Sequence, residues 1–303
     1  MMSLSELKEQ YSNNKINYSH LFDKMVQVGN YEGLAYLDVI VPNYQRANFC
    51  NKTLQYLDRS LRASEVSYNL ICMNFEESED VRKVCEEIGA IYLCCPSFPE
   101  SHQGEFSRAL SFDLPCKYLK VNSPWVIFTD SDLLVTESFI KNTVSRLKYT
   151  HSWLQPYTNK RVTNLTAKST ISVLNSKDSI DLEVLECTYP KPGAPGGCIV
   201  VPTALYNEVG GYDPEIFWGY GPEDSMFWVK LESCFSKIDA IGECHQGNAT
   251  YSDSETVYHL NHPSRQGLTP NYLRMLTIHN SFLNLPHEDK VELIKFKKGL
   301  YGN

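Results

Sequence analysis

Trp125-Val126-Ile127-Phe128-Thr129-Asp130-Ser131-Asp132 joins a run of strand-forming apolar residues directly to two carboxylates one residue apart. A short run of this aromatic and β-branched content predicts a buried strand. The two acids then fall at its carboxyl end, where open α/β sheets gather their ligands. Hard oxygen donors at such a rim suit a divalent cation that also grips a diphosphate. Asp-x-Asp alone carries little weight, because a polar strand end or a helix cap would look the same. Its context gives it weight.

On the amino-terminal side, Tyr36 to Val41 is a β-branched run stopped by Pro42. Asn51 to Leu61 has apolar residues at helical spacing (Leu54, Leu57, Leu61), and Tyr68 to Met73 reads as a strand. An acidic helix over Ser78 to Ile88, a short strand Ala90 to Leu93 and a helix Phe106 to Leu119 lead back to the acidic strand. Such alternation predicts an α/β fold with a mostly parallel central sheet flanked by helices.

The rest is less regular. Residues 1–34 read as one or two polar helices. Gly193 to Gly197 is a turn-rich entry to the strand Cys198 to Val201, which Pro202 ends, and a helix is expected over Asp224 to Leu231. The tail, His287 to Lys298, predicts a terminal helix with a basic end and a solvated face.

Composition narrows the class. The chain has 303 residues, 42% hydrophobic and 21% charged, with a net charge of −8, which describes an ordinary globular protein and argues against a broad electrostatic grip on nucleic acid. No stretch approaches the roughly 18–20 consecutive apolar residues of a membrane span. The first residues lack the apolar segment of a secretory signal. Ten cysteines with no C-x-x-C fit reduced thiols and lead us to expect a cytoplasmic setting.

Two further clusters follow the acidic strand. Trp218-Gly219-Tyr220-Gly221-Pro222-Glu223-Asp224 sets two carboxylates behind a glycine-aromatic turn. Acids at a helix start are favoured by the helix dipole in any protein. The sharper reading makes one of them a general base toward an acceptor hydroxyl, with Trp218 and Tyr220 offering flat faces to a sugar ring. His259-Leu260-Asn261-His262 is either a pair of surface histidines or, if the segment is helical or tightly turned, two imidazoles converging on one ion. A carboxylate-plus-imidazole shell fits Mn²⁺ better than Mg²⁺. Arg46 and Arg108, ordinary surface residues by default, are placed to reach diphosphate oxygens bidentately.

Taken together, these residues resemble the GT-A glycosyltransferases, specifically the inverting families 2 and 7, over about residues 36–265. Val39-Ile40-Val41-Pro42-Asn43-Tyr44-Gln45-Arg46 is similar to their first strand and nucleotide-binding turn. Phe106-Ser107-Arg108-Ala109-Leu110 resembles their Phe-Asn-Arg-Ala helix start, with Ser where Asn is common, and Asp130-Ser131-Asp132 matches their Asp-x-Asp. Gly196-Gly197, Gly210-Gly211-Tyr212-Asp213 and the run through Asp224 resemble the carboxyl-terminal signature of the β-1,4-galactosyltransferase and chondroitin-polymerase groups.

The resemblance implies a GT-A, Rossmann-like domain over 35–265, with a nucleotide-sugar half (35–135) and an acceptor half (136–265). Residues 1–34 and 266–303 would be helical extensions. It implies transfer of a hexose or N-acetylhexosamine from a UDP-sugar to a glycan or glycoconjugate hydroxyl, with inversion. Asp224 would be the catalytic base, with Glu223, Trp218 and Tyr220 on the acceptor. Pro42, Tyr44, Arg46, Arg108, Asp130 and Gly197 would hold the donor, and Asn74 or Glu76 would contact uracil. Asp132, His259 and His262 would hold Mn²⁺, with Mg²⁺ as the alternative. The run after Glu223-Asp224 departs from the family, being Ser225-Met226-Phe227 where acids are usual. A retaining transferase on the same scaffold, a non-catalytic nucleotide- or carbohydrate-binding protein, and a nucleobase hydroxyl as acceptor are the competing readings.

Overall fold

The strand Trp125–Thr129 is buried at every position, with a partner strand on each side and both faces of the sheet covered. Leu37–Asn43 runs parallel to it, pairing Leu37 with Trp125 and Ile40 with Phe128, and Cys198–Pro202 runs antiparallel, pairing Cys198 with Thr129. A computed structural model of the chain describes residues 1–147, 153–157, 161–188, 195–235, 250–251, 256–263 and 270–301. The expected turn at Gly193 and Ala194 lies outside them.

In chain order the strands are β1 (Val26–Val28), β2 (Leu37–Asn43), β3 (Tyr68–Asn74), β4 (Ile91–Cys94), β5 (Trp125–Thr129), β6 (Leu133–Val135), β7 (Leu154–Gln155), β8 (Val162–Leu165), β9 (Cys187–Thr188), β10 (Cys198–Pro202), β11 (Thr250–Tyr251) and β12 (Val257–His259). The helices are α1 (Leu4–Asn13), α2 (Tyr18–Phe22), α3 (Ala47–Ala63), α4 (Glu79–Ile88), α5 (Arg108–Leu119), α6 (Ser138–Leu147), α7 (Ala167–Asn175), α8 (Thr203–Glu208), α9 (Glu223–Phe235), α10 (Pro270–Leu283) and α11 (His287–Gly299).

The central sheet has the order β1-β4-β3-β2-β5-β10-β7-β11. Its middle, β4-β3-β2-β5, is parallel as the alternation predicts. β1 and β10 are antiparallel, so the sheet as a whole is mixed. A second sheet, β6-β12-β8-β9, has no forerunner in the sequence pattern. It carries His259.

Alternation along the strands splits the core in two. Ile40, Ile71, Val126 and Phe128 face α1, α5, α9 and α11, while Val39, Cys72, Ile127 and Val200 face α3, α4 and α6. Pro42 does not stop β2, which runs on to Asn43. Pairing with β5 ends at Ile40, so at Pro42 the ladder continues on the β3 side alone and the missing N–H costs no bond on the other.

The termini are not peripheral. Leu7 and Tyr11 of α1 share a core with Phe112, Phe128 and Leu293. The tail helix α11 keeps the expected solvated face, with Glu288, Glu292 and Lys295 exposed, but its other side is packed and buries Leu293, Ile294 and Lys297. The reason is a buried charge. Asp213 binds Lys230 through both carboxylate oxygens at 2.8 and 2.9 Å, and Lys297 Nζ stands 3.0 Å from its Oδ1. Tyr11 donates to the same carboxylate at 3.0 Å. One aspartate thus ties α1, α9 and α11 to the Gly210–Asp213 turn.

Candidate functional site

Ser107 accepts a hydrogen bond from the Leu110 N–H at 3.0 Å and so caps α5, which fixes Arg108 at the first helical position. From there its guanidinium reaches three segments. Nε donates to Asp130 at 2.6 Å, one terminal nitrogen to Glu223 at 3.2 Å and the other to the Gly196 carbonyl at 2.5 Å. Asp130 is held in turn by its own N–H, which donates to Gly197 at 2.8 Å. Burial pushes the Asp130 carboxyl up to about 6 against the pull of Arg108.

Glu223 and Asp224 open α9, where the positive helix end favours them. A side chain at Gly196 would put Cβ 1.7 Å from the Asp224 Oδ2, and one at Gly197 would come within 2.6 Å of Leu133. Gly196 therefore lets the backbone approach the Asp224 carboxylate, and Gly197 lets it pack against Leu133. Asp224 accepts from the Ser225 N–H at 2.6 Å.

Burial, with the neighbouring Asp224 charge adding to it and Arg108 opposing, pushes Glu223 up to about 7 from an ordinary 4.5. The folded protein thus holds this proton more tightly than the unfolded chain. The stability it confers is complete below the ordinary value and lost as pH rises through 7. Glu223→Gln is expected to flatten the fall in melting temperature between pH 5 and 7, Asp130 retaining a smaller slope of the same sign. An unchanged slope would contradict the assignment.

On the other side of the β5 rim, Leu260 N–H donates to the Asp132 carbonyl at 2.9 Å, and β12 pairs His259 with Leu133. This pairing sets both imidazoles beside the Asp132 carboxylate. His262 Nε2 lies 3.0 Å from Oδ2 and His259 Nε2 lies 3.8 Å from Oδ1. The three ligand atoms lie within 4.8 Å of one another. Convergence comes from the end of β12 and the irregular residues after it, where the Thr170 hydroxyl accepts from the Asn261 N–H at 2.8 Å, and not from a helix.

Burial works against the Asp132 charge, but the His262 hydrogen bond and the charges of His259 and Arg46 hold its carboxyl below the usual range. The bond to Asp132 raises His262. One carboxylate and two imidazoles without a thiolate make a donor set that accepts Mn²⁺ and leaves coordination positions for substrate oxygens. Arg46 touches the same Asp132 oxygen at 2.5 Å and lies 3.3 Å from both ring nitrogens of His262.

The remaining expected residues divide. Tyr44 stacks on Phe106 at 5.3 Å beyond the end of β2. Glu76 accepts from the Gln45 N–H at 2.6 Å, where Gln45 has φ of +56°. Pro42 is buried in β2, and Asn74 is spent within the sheet, accepting from Asn43 at 2.7 Å and donating to the Leu93 carbonyl. Trp218 is 8% exposed, stacked by His102 at 5.1 Å and covered by the Arg274 guanidinium at 4.1 Å. Tyr220 is the exposed ring, at 51%, and stacks on Tyr272. Burial lowers His102 to about 4, so it stacks as a neutral imidazole. Neither His102 nor Arg274 has a local sequence signal; each acquires its place only through the Trp218 turn.

A family model described as "N-terminal domain of galactosyltransferase" matches residues 177–262, a stretch that holds Gly196-Gly197, Glu223-Asp224 and both histidines. No curated protein matches the chain. Among solved structures, the catalytic domain of Drosophila beta1,4galactosyltransferase 7 in complex with xylobiose is 14% identical, covering 78% of this chain and 76% of its own, with a TM-score of 0.44. S. aureus TarS is 13% identical over 86% of this chain and 42% of its own (TM-score 0.49). A mannosyltransferase from Pyrobaculum calidifontis in complex with GDP-Man and Mn2+ is 13% identical over 99% and 82% (TM-score 0.48). The sheet order and the match over 177–262 agree on an α/β fold of the GT-A-like, Rossmann type, a central mixed sheet flanked by helices, with a candidate Asp-His-His metal cluster at its rim.

Proposed function

We propose that this protein is a metal-dependent, inverting glycosyltransferase that moves a hexose or N-acetylhexosamine from a UDP-sugar to a hydroxyl of a glycan or glycoconjugate. The observation that carries the reading is the meeting of Asp132, His259 and His262 at one rim of the sheet, beside a carboxylate pair that Arg108 steadies. Mn²⁺ held by those three residues would neutralise charge building on a departing diphosphate. Arg46, already at the same carboxylate, binds diphosphate oxygens, and Tyr44 with Glu76 borders the uridine.

Asp224 takes the proton of the acceptor hydroxyl as its oxygen attacks the anomeric carbon. Glu223, carrying a proton over much of the range below 7, hydrogen-bonds the acceptor, and the exposed Tyr220 offers it an apolar face. Attack from the side away from the leaving diphosphate inverts the centre in one displacement. The net charge of −8 favours a glycan over a nucleic acid as acceptor. Among the described residues no helix is long and apolar enough to cross a membrane, and the cytoplasm is the proposed setting.

The test is UDP release from each common UDP-sugar with Mn²⁺, with EDTA as control. Release from one donor that falls by about 100-fold or more in EDTA is expected. Release indifferent to EDTA, or none from any donor, would contradict the reading.

A further inference from the structure

A polar cavity of about 600 Å³ opens between the amino-terminal helix α1 and the Trp218 turn. Gln10 and Asn13 at the end of α1 and its cap residue Asn14 line it, while Leu7 and Tyr11 are buried in the core. Gln103, Trp218 and Arg274 line it as well. The size is within the range of about 300–1,000 Å³ common for small-molecule sites.

We propose that this cavity is an acceptor subsite that holds an uncharged sugar unit of an oligosaccharide, next to the unit that reacts; the assignment rests on the glycosyltransferase reading above. Side-chain amides present a carbonyl acceptor and an NH₂ donor together, which matches adjacent sugar hydroxyls that also both donate and accept. The wall holds four such amides besides Asn271. Asn14 donates one N–H to the Gln10 backbone carbonyl at 2.8 Å and Gln10 accepts from Arg274 at 3.4 Å, which leaves a second N–H on the one and a free lone pair and NH₂ on the other to meet a ligand.

Charge selects against an anion. The cavity is lined by one cation, Arg274, and one anion, Glu105. Arg274 already donates to the Ile216 carbonyl at 2.7 Å and to Gln10 at 3.4 Å, and Glu105 accepts from Asn271 at 3.1 Å. No excess charge of either sign is left to reward a phosphate or a carboxylate.

Position ties the cavity to the reaction. Gly219 N–H donates to the Phe106 carbonyl at 2.7 Å, sewing the segment that carries Glu105 and Arg108 to the one that carries Trp218 and Glu223. A side chain at Gly219 would meet Glu105 at 2.6 Å, and its φ of +74° favours glycine, so this seam depends on that residue. The same two segments thus build the cavity wall and the carboxylate pair. α1, which the family resemblance leaves without a role, supplies the third side.

The experiment uses the full chain and the double variant Gln10→Ala/Asn13→Ala, both positions being on a helix that tolerates alanine. Binding of chitotetraose, cellotetraose, maltotetraose, N-acetylglucosamine and glucose is followed by saturation-transfer NMR. UDP affinity, melting temperature and UDP-sugar hydrolysis are recorded alongside. One tetrasaccharide is expected to bind about tenfold tighter than its monosaccharide, and the double variant to lose that advantage with UDP affinity and hydrolysis unchanged. A length preference absent from wild type, or surviving in the double variant, overturns the subsite. Wild type that shows the preference but turns over no UDP-sugar overturns the transferase reading instead, so the two failures are distinct.

Discussion

Asp224→Asn is expected to lower kcat by about 10²–10⁴-fold while UDP binds as tightly as before. The substitution keeps size and leaves an oxygen for the Ser225 N–H, which Asp224 now satisfies at 2.6 Å. It removes the capacity to take a proton together with the negative charge that helps to push Glu223 up. Asp224 touches none of the three candidate metal ligands, so calorimetry with Mn²⁺ and UDP should give the wild-type affinity. Turnover within tenfold of wild type would take the base role from Asp224. Glu223, the preceding residue and pushed up to about 7, would then be the group to test.

The second large effect concerns stability. Asp213→Ala is expected to lower the unfolding free energy by about 3–5 kcal/mol, the usual cost of stripping a partner from a buried ion pair. Asp213 and Lys230 are each 1% exposed and Lys297 is 3% exposed, so water cannot replace the lost carboxylate. Burial already lowers Lys230 to about 8 with the aspartate present. Without it both lysines lose their main counter-charge, and α9 and α11 lose their shared anchor. Urea titration measures the change, and a loss below about 1 kcal/mol would show that the pair contributes little.

The parallel half of the sheet was legible because each of its strands is a local apolar run followed by an amphipathic helix. The rim acids were legible for the same reason, since β5 announces its own end. Pairing direction was not. β10 reads like any buried strand, and only its antiparallel seat on β5 makes the sheet mixed. β12 has three residues, too few for periodicity, yet its pairing with β6 is what carries His259 to Asp132. Lys297 sits in a basic tail beside Lys298, and nothing within several residues reveals that one of them is buried against Asp213. Trp218 shows the same limit from the other side. Its neighbours in sequence suggest an open platform, whereas His102 and Arg274, distant in the chain, cover it.

The central claim is that one cation joins the rim carboxylate Asp132 to two imidazoles brought from far along the chain. Crystals grown with Mn²⁺ and UDP, with data collected at the manganese absorption edge, test it most directly. A single anomalous peak bonded to Asp132, His259 and His262 and to the diphosphate is the expected result. A peak at any other place, or none while UDP is bound, would contradict it.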